Sequence, residues 1–147
     1  MNSINERKTV LVVDDDTSMV LALQKRLAQA GYHVLTALNG VDALERARRC
    51  TVDAISLDVA MPGAVSGFDV AHELRVDPRT ARIPIVFVTG TADEHFKERC
   101  SAVGGRYFLA KPYDAELLLQ TLSNMLAADE LAEIKRISGV KRRQPIR

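Results

Sequence analysis

The chain has 147 residues, 47% of them hydrophobic and 27% charged, with a formal net charge of +1. That length and balance fit one globular domain with a real core and exclude a disordered chain. A net charge so close to zero excludes a global basic field drawing the protein to nucleic acid or membrane.

The charge is uneven: six Lys/Arg against three acids put +3 on residues 129–147 and leave −2 on residues 1–128. Cys50 and Cys100 have neither CxxC spacing nor a neighbouring His cluster, so they read as reduced thiols and not as a disulfide framework or zinc site. Met1–Lys8 lacks the apolar core of a secretory signal, and no apolar run approaches the ~18 residues of a membrane span. The expected location is cytoplasmic.

Strands and helices alternate along the chain. Thr9–Val13 (TVLVV) is a β-branched apolar run of the kind that forms a strand buried on both faces, and it stops at Asp14-Asp15-Asp16. A helical pattern through Met19, Val20, Leu23 and Leu27 follows, with an N-cap at Asp16 or Thr17 and Gly31 as its stop. Tyr32–Thr36 is a short strand, and Asn39 caps a second helix running to about Arg49. Asp53–Leu57 is a third strand ending at Asp58. After a Met-Pro-Gly loop comes a helix from about Gly67 to Val76, then a strand over Pro84–Val88 ending at Thr89-Gly90. A helix over about Ala92–Val103 is broken by Gly104-Gly105, and Tyr107–Ala110 is a fifth strand ending at Lys111-Pro112. The last helix starts near Asp114 and runs to about Ile137.

Single helices between five strands imply right-handed crossovers, a parallel sheet and helices on both of its faces. The fold class is therefore α/β, a doubly wound five-stranded parallel sheet. The expected organisation is a tail over 1–7, a domain over 8–128, and an extension of the last helix with a basic tail over 129–147.

In such a sheet, functional groups gather beyond the carboxyl ends of the strands. Those ends carry Asp14, Asp15 and Asp16, then Asp58, Thr89 and Lys111. Each has a structural explanation on its own: a helix cap for Asp16, a turn residue for Thr89, a solvated side chain for Lys111. Their coincidence on one rim is what packing does not require. Clustered carboxylates repel unless a cation lies between them, and hard oxygen ligands suit Mg²⁺. An aspartate facing such a metal can act as a nucleophile toward phosphorus. Lys111 then balances the added charge, and the Thr89 hydroxyl bonds a phosphoryl oxygen.

The motifs VLVVDDD (10–16), LDVAMPG (57–63), VTG (88–90) and AKP (110–112) resemble those of the receiver domains of two-component response regulators, the chemotaxis-regulator-like family, over about residues 8–127. The resemblance implies a flavodoxin-like (βα)5 fold with strand order 2-1-3-4-5 and a phosphoacceptor at Asp58. It implies Mg²⁺ ligated by Asp15, Asp58 and the Ala60 backbone carbonyl, with Asp14 acting through a water. Thr89 and Phe108 take the places of the family's switch residues, Lys111 that of its phosphate-pairing lysine, and Lys111–Pro112 that of its cis peptide. The expected partners are a sensor histidine kinase or phosphotransfer protein upstream. Downstream they are an effector protein or a second copy, met through the fourth helix, fifth strand and fifth helix. Membrane binding and direct DNA binding are not expected.

Three departures accompany the resemblance. Gly63–Ser66 puts four residues, not three, between Met-Pro and the next Gly; Phe108 has no hydroxyl; and residues 129–147 are too few for an output domain of the expected size. Phe108 is expected to turn inward, or against a partner, because its outward position exposes apolar area.

Two other functions fit parts of the pattern. Asp14, Asp16 and Ser18 superficially match the Asp-x-Asp-x-Thr signature of haloacid dehalogenase-type phosphohydrolases, with Asp14 as nucleophile and Asp16 as acid/base, but the late acidic pair of that family is missing after Thr89. A receiver-fold interaction module independent of phosphorylation is the other. The basic tail has the electrostatics for nucleic acid but no aromatic platform. His33, His72 and His95 fall on different elements and form no ligand set.

Overall fold

A computed structural model describes residues 7–61, 63–90 and 94–138. The expected basic tail at 139–147, most of the N-terminal tail, Pro62 and the start of the fourth helix at Ala92 lie outside the described residues. Ten elements alternate: β1 Thr9–Val13, α1 Thr17–Gln29, β2 His33–Ala37, α2 Gly40–Arg49, β3 Ala54–Asp58, α3 Gly67–Val76, β4 Ile85–Thr89, α4 Glu94–Ala102, β5 Tyr107–Ala110 and α5 Ala115–Ser138. All strand pairs are parallel, in the order β2-β1-β3-β4-β5.

The apolar content of each strand sets its place. β3 and β4 are buried throughout and β1 nearly so, whereas β2 and β5 form the edges and are largely exposed or half-buried. One core layer packs Leu11, Ile55, Leu57 and Phe87 against Val70, Leu74 and Phe96 of α3 and α4. The other packs Val10, Val12 and Val86 against Leu23 and Leu27 of α1 and Leu118, Leu122 and Met125 of α5. Strand alternation delivers successive residues to opposite layers.

Three strands start and end one residue later than the sequence pattern suggests. Pro84 has no N–H to give the β4 ladder, and the Asp53 carboxylate bonds the Thr9 N–H at 2.8 Å. At the other end Asp58 pairs with Val88, so Asp58 and Thr89 close their strands and do not begin loops. Side-chain caps begin the helices as expected: Asp16 accepts from the Met19 N–H, Asn39 from Asp42 and Asp114 from Leu117. Gly31, at φ +102°, lies just past the end of α1, in a conformation only glycine takes cheaply.

The longer loop before α3 has a packing role. Val65 folds back so closely over Gly40 that a Cβ there would lie 2.6 Å from its methyl group. Cys50 is exposed, Cys100 is buried, and both are free thiols. No helix among the described residues is long and apolar enough to cross a membrane.

Candidate functional site

The rim formed by the carboxyl ends of β1, β3, β4 and β5 brings the candidate residues together. Lys111, just beyond β5, places its ammonium 3.0 Å from Asp14 Oδ2 and 3.3 Å from Asp58 Oδ2. Carboxylate oxygens of Asp14, Asp15 and Asp58 all lie within 4.8 Å of one another. Asp14, Asp58 and Thr89 are buried, while Asp15 opens to solvent. Backbone N–H groups fix the two buried acids. Asp16 donates to Asp14 Oδ1 at 3.0 Å, and Ala60 donates to Asp58 Oδ1 at 3.1 Å. The Lys111 N–H donates to the Thr89 carbonyl at 2.6 Å, tying the end of β5 to that of β4. Lys111–Pro112 is cis.

Burial raises the Asp58 pKa and the charge of Asp14 adds to it, outweighing the Ala60 N–H and Lys111, which pull it down. Lys111 is held above its ordinary value: burial lowers it, but the Asp14 hydrogen bond and the fields of Asp58 and Asp14 prevail. Three carboxylates against one ammonium leave a formal −2 in a space a few ångströms wide. An all-oxygen donor set with that charge fits a hard divalent cation.

Asp16 is not part of this set, because its carboxylate caps α1 from an exposed position. That removes the acid/base partner a dehalogenase-type reaction needs. Of the two positions expected for Phe108, inward or against a partner, the inward one is not taken. The residue is 37% exposed. Its ring instead meets the edge of Phe96, with centroids 5.9 Å apart, and Lys97 Nζ lies 5.8 Å above it. Those contacts cover part of the apolar surface that was expected to drive it in.

Sequence reasoning passed over Tyr113. Its phenol packs into the α1/α5 layer and is pushed up to about 12, by burial first and then by the charge of Asp14. The adjoining Lys111-Pro112 turn was the available clue.

The response regulator receiver domain family model matches residues 10–123. The chain is 36% identical over 118 residues to protein PilH of Pseudomonas aeruginosa, spanning 80% of this chain and 97% of PilH. It is 37% identical over 128 residues to the response regulator PleD of Caulobacter vibrioides, of which it spans only 28%. Among solved structures, Vibrio cholerae chemotaxis protein CheY4 is 35% identical, with a TM-score of 0.78 and 82% of this chain and all of that one covered. The receiver domain of a Pseudomonas aeruginosa sensor histidine kinase, solved with a magnesium ion in its active-site cleft, is 27% identical, with a TM-score of 0.75 over 83% of this chain and 99% of its own. With a family match over most of its length, this strand order and this acidic rim, the chain belongs to the response regulator receiver domains.

Proposed function

We propose that Asp58 accepts a phosphoryl group from a histidine kinase or phosphotransfer protein in a Mg²⁺-dependent reaction, and that the new charge switches the surface presented to a partner protein. The observation that carries this reading is Lys111 bridging Asp14 and Asp58 at a rim shared by three carboxylates. Asp15, Asp58 and the Ala60 carbonyl would hold Mg²⁺ directly, and Asp14 through a water. When bound, the ion supplies positive charge that lets an anionic nucleophile approach an anionic phosphoryl group.

The chain's own residues do the rest. The Ala60 N–H holds the Asp58 carboxylate in one orientation. A carboxylate oxygen attacks phosphorus, a P–O bond forms, and the P–N bond to the donor histidine breaks with its electron pair leaving on the imidazole nitrogen. Lys111 then turns its ammonium to the phosphoryl oxygens, and the Thr89 hydroxyl donates to one of them. Hydrolysis of the acyl phosphate regenerates Asp58; the Ala60 side chain offers that water neither a base nor an amide. The surface of α4, β5 and α5, with Phe108 on it, is the face that answers, toward an effector or a second copy, in a cytoplasmic setting.

Acetyl phosphate with Mg²⁺ should add one phosphoryl group to the intact protein by mass spectrometry, and none in chelator. Asp58→Asn should abolish the addition. A variant that is still labelled, or label mapped to Asp14, would sink this assignment.

A further inference from the structure

Among the described residues, nothing buries the last three turns of α5. Leu118, Leu122 and Met125 bury one face of this helix in the core. Continuing that face at a spacing of three and four gives Asp129 and Ala132, and these with Ala128 border a hollow shared with Pro84, Ile85 and Tyr107. So the side turned to the body becomes small and polar. The large apolar residues beyond it, Leu131, Ile134 and Ile137, are all exposed. At about 100° per residue Leu131 and Ile134 lie on the far side of the helix, out of reach of the protein's own core, and Ile137 lies on its flank. Residues 127–138 are exposed without a break. A segment of that length is marginal as an isolated helix in water.

The outward face carries its own register. Leu117, Asn124, Leu131 and Ser138 recur every seven residues, and Gln120, Ala127 and Ile134 fall between them at the alternating three-and-four spacing of a two-helix seam. Leu117 is exposed on the same face. Glu130 and Lys135 flank that seam on opposite sides. Neither has an ion pair among the described residues, where the extension's only pair is Arg136 with Glu133.

We propose that this face of α5 pairs with the same face of a second copy of this chain, the two helices running parallel. In that arrangement Leu131 and Ile134 meet their own equivalents, and small Ala127 lets the backbones approach. The acid of Glu130 reaches Lys135 of the second copy, five residues on, once from each side. Running antiparallel, like flanks would face each other, acid toward acid and base toward base. The two domain bodies lie outside the pair, because the seam is on the side of α5 away from the sheet. The apolar seam is short, so the dimer is weak and concentration-dependent. The proposal does not depend on Asp58 chemistry.

Sedimentation equilibrium of the full chain, in chelator and without phosphodonor, tests it. The dimer fraction should rise across a micromolar-to-millimolar series. Leu131→Glu and Ile134→Glu should each give a monomer throughout while leaving the thermal midpoint of dilute protein unchanged. Glu130→Lys and Lys135→Glu should each weaken association several-fold, and the double reversal E130K/K135E should restore it. A monomer at the highest concentration overturns the proposal and leaves the face to a different protein. A dimer that survives Leu131→Glu, or a double reversal no better than either single one, overturns it too.

Discussion

Burial, and after it the charge of Asp14, keeps the Asp58 carboxyl above its ordinary pKa even with Lys111 3.3 Å away. A carboxyl whose pKa is higher in the fold than in the unfolded chain stabilises the fold below the unfolded value, and that contribution is lost as pH rises through the folded one. At neutral pH, without metal, ionised Asp58 is therefore a cost to stability. Asp58→Asn keeps the shape, removes the charge and should raise the thermal midpoint in chelator at neutral pH. The gain should shrink as the pH is lowered through the raised folded value toward the ordinary aspartate range, as the parent carboxyl takes up its proton. Adding Mg²⁺ should stabilise the parent more than the variant. Equal midpoints at neutral pH in chelator would contradict this balance of forces. The acids, hydroxyl and lysine of this rim were legible in the sequence because each ends a strongly apolar strand. Phe108 was placed correctly on β5, and of its two expected orientations the inward one is not taken, since Phe96 and Lys97 reach it from a helix whose packing no local pattern reveals. Tyr113 was missed for the same reason: its link to Asp14 is one of space, not of sequence.

Between elements, the site depends on how closely α3 approaches the end of β3. A Cβ on Gly67, the first residue of α3, would lie 2.5 Å from the Asp58 carbonyl oxygen and 2.5 Å from Val59 Cα. Both are backbone atoms and neither can swing aside. Gly67→Ala should destabilise the fold by roughly 1–3 kcal/mol, the usual cost of overpacking. It should also slow labelling of Asp58 by acetyl phosphate; urea denaturation and the labelling rate check the two effects. A variant as stable as the parent would mean that the α3 start is looser than its contacts imply. The number, type and order of elements followed from hydrophobic periodicity and caps, and the approximate ends expected for α2 and α3 agree with the structure. The one-residue offset of β2, β3 and β4 was not readable, since an apolar run shows where a strand is buried but not where its ladder begins. The capping box of Ser66 and Asp69 also escaped, its third position holding Asp in place of the commoner Glu or Gln.

Across the whole molecule, Arg75 joins three segments distant from the rim. Its guanidinium donates to the carbonyls of Val103 at 3.2 Å, Ala81 at 3.1 Å and Ile83 at 2.8 Å, connecting α3 to the approaches of β4 and β5. Arg75→Met retains most of the apolar stem but leaves those carbonyls without their donor. The expected loss is roughly 1–3 kcal/mol, read as a lower urea midpoint with an unchanged slope and with Asp58 labelling intact. Retention of the parent midpoint would show that solvent replaces the guanidinium at no cost. The two faces of the sheet differ in another respect. Phe68, Phe87 and Phe96 belong to the layer under α3 and α4, and Phe108 joins them at its edge. Tyr32, Tyr107 and Tyr113 all belong to the layer under α1 and α5, and the sequence has no tryptophan. Under ultraviolet excitation the protein is thus lit from one side. Its emission comes from the layer that holds Tyr113, whose phenol feels the charge of Asp14, while any rearrangement among the phenylalanines passes in the dark.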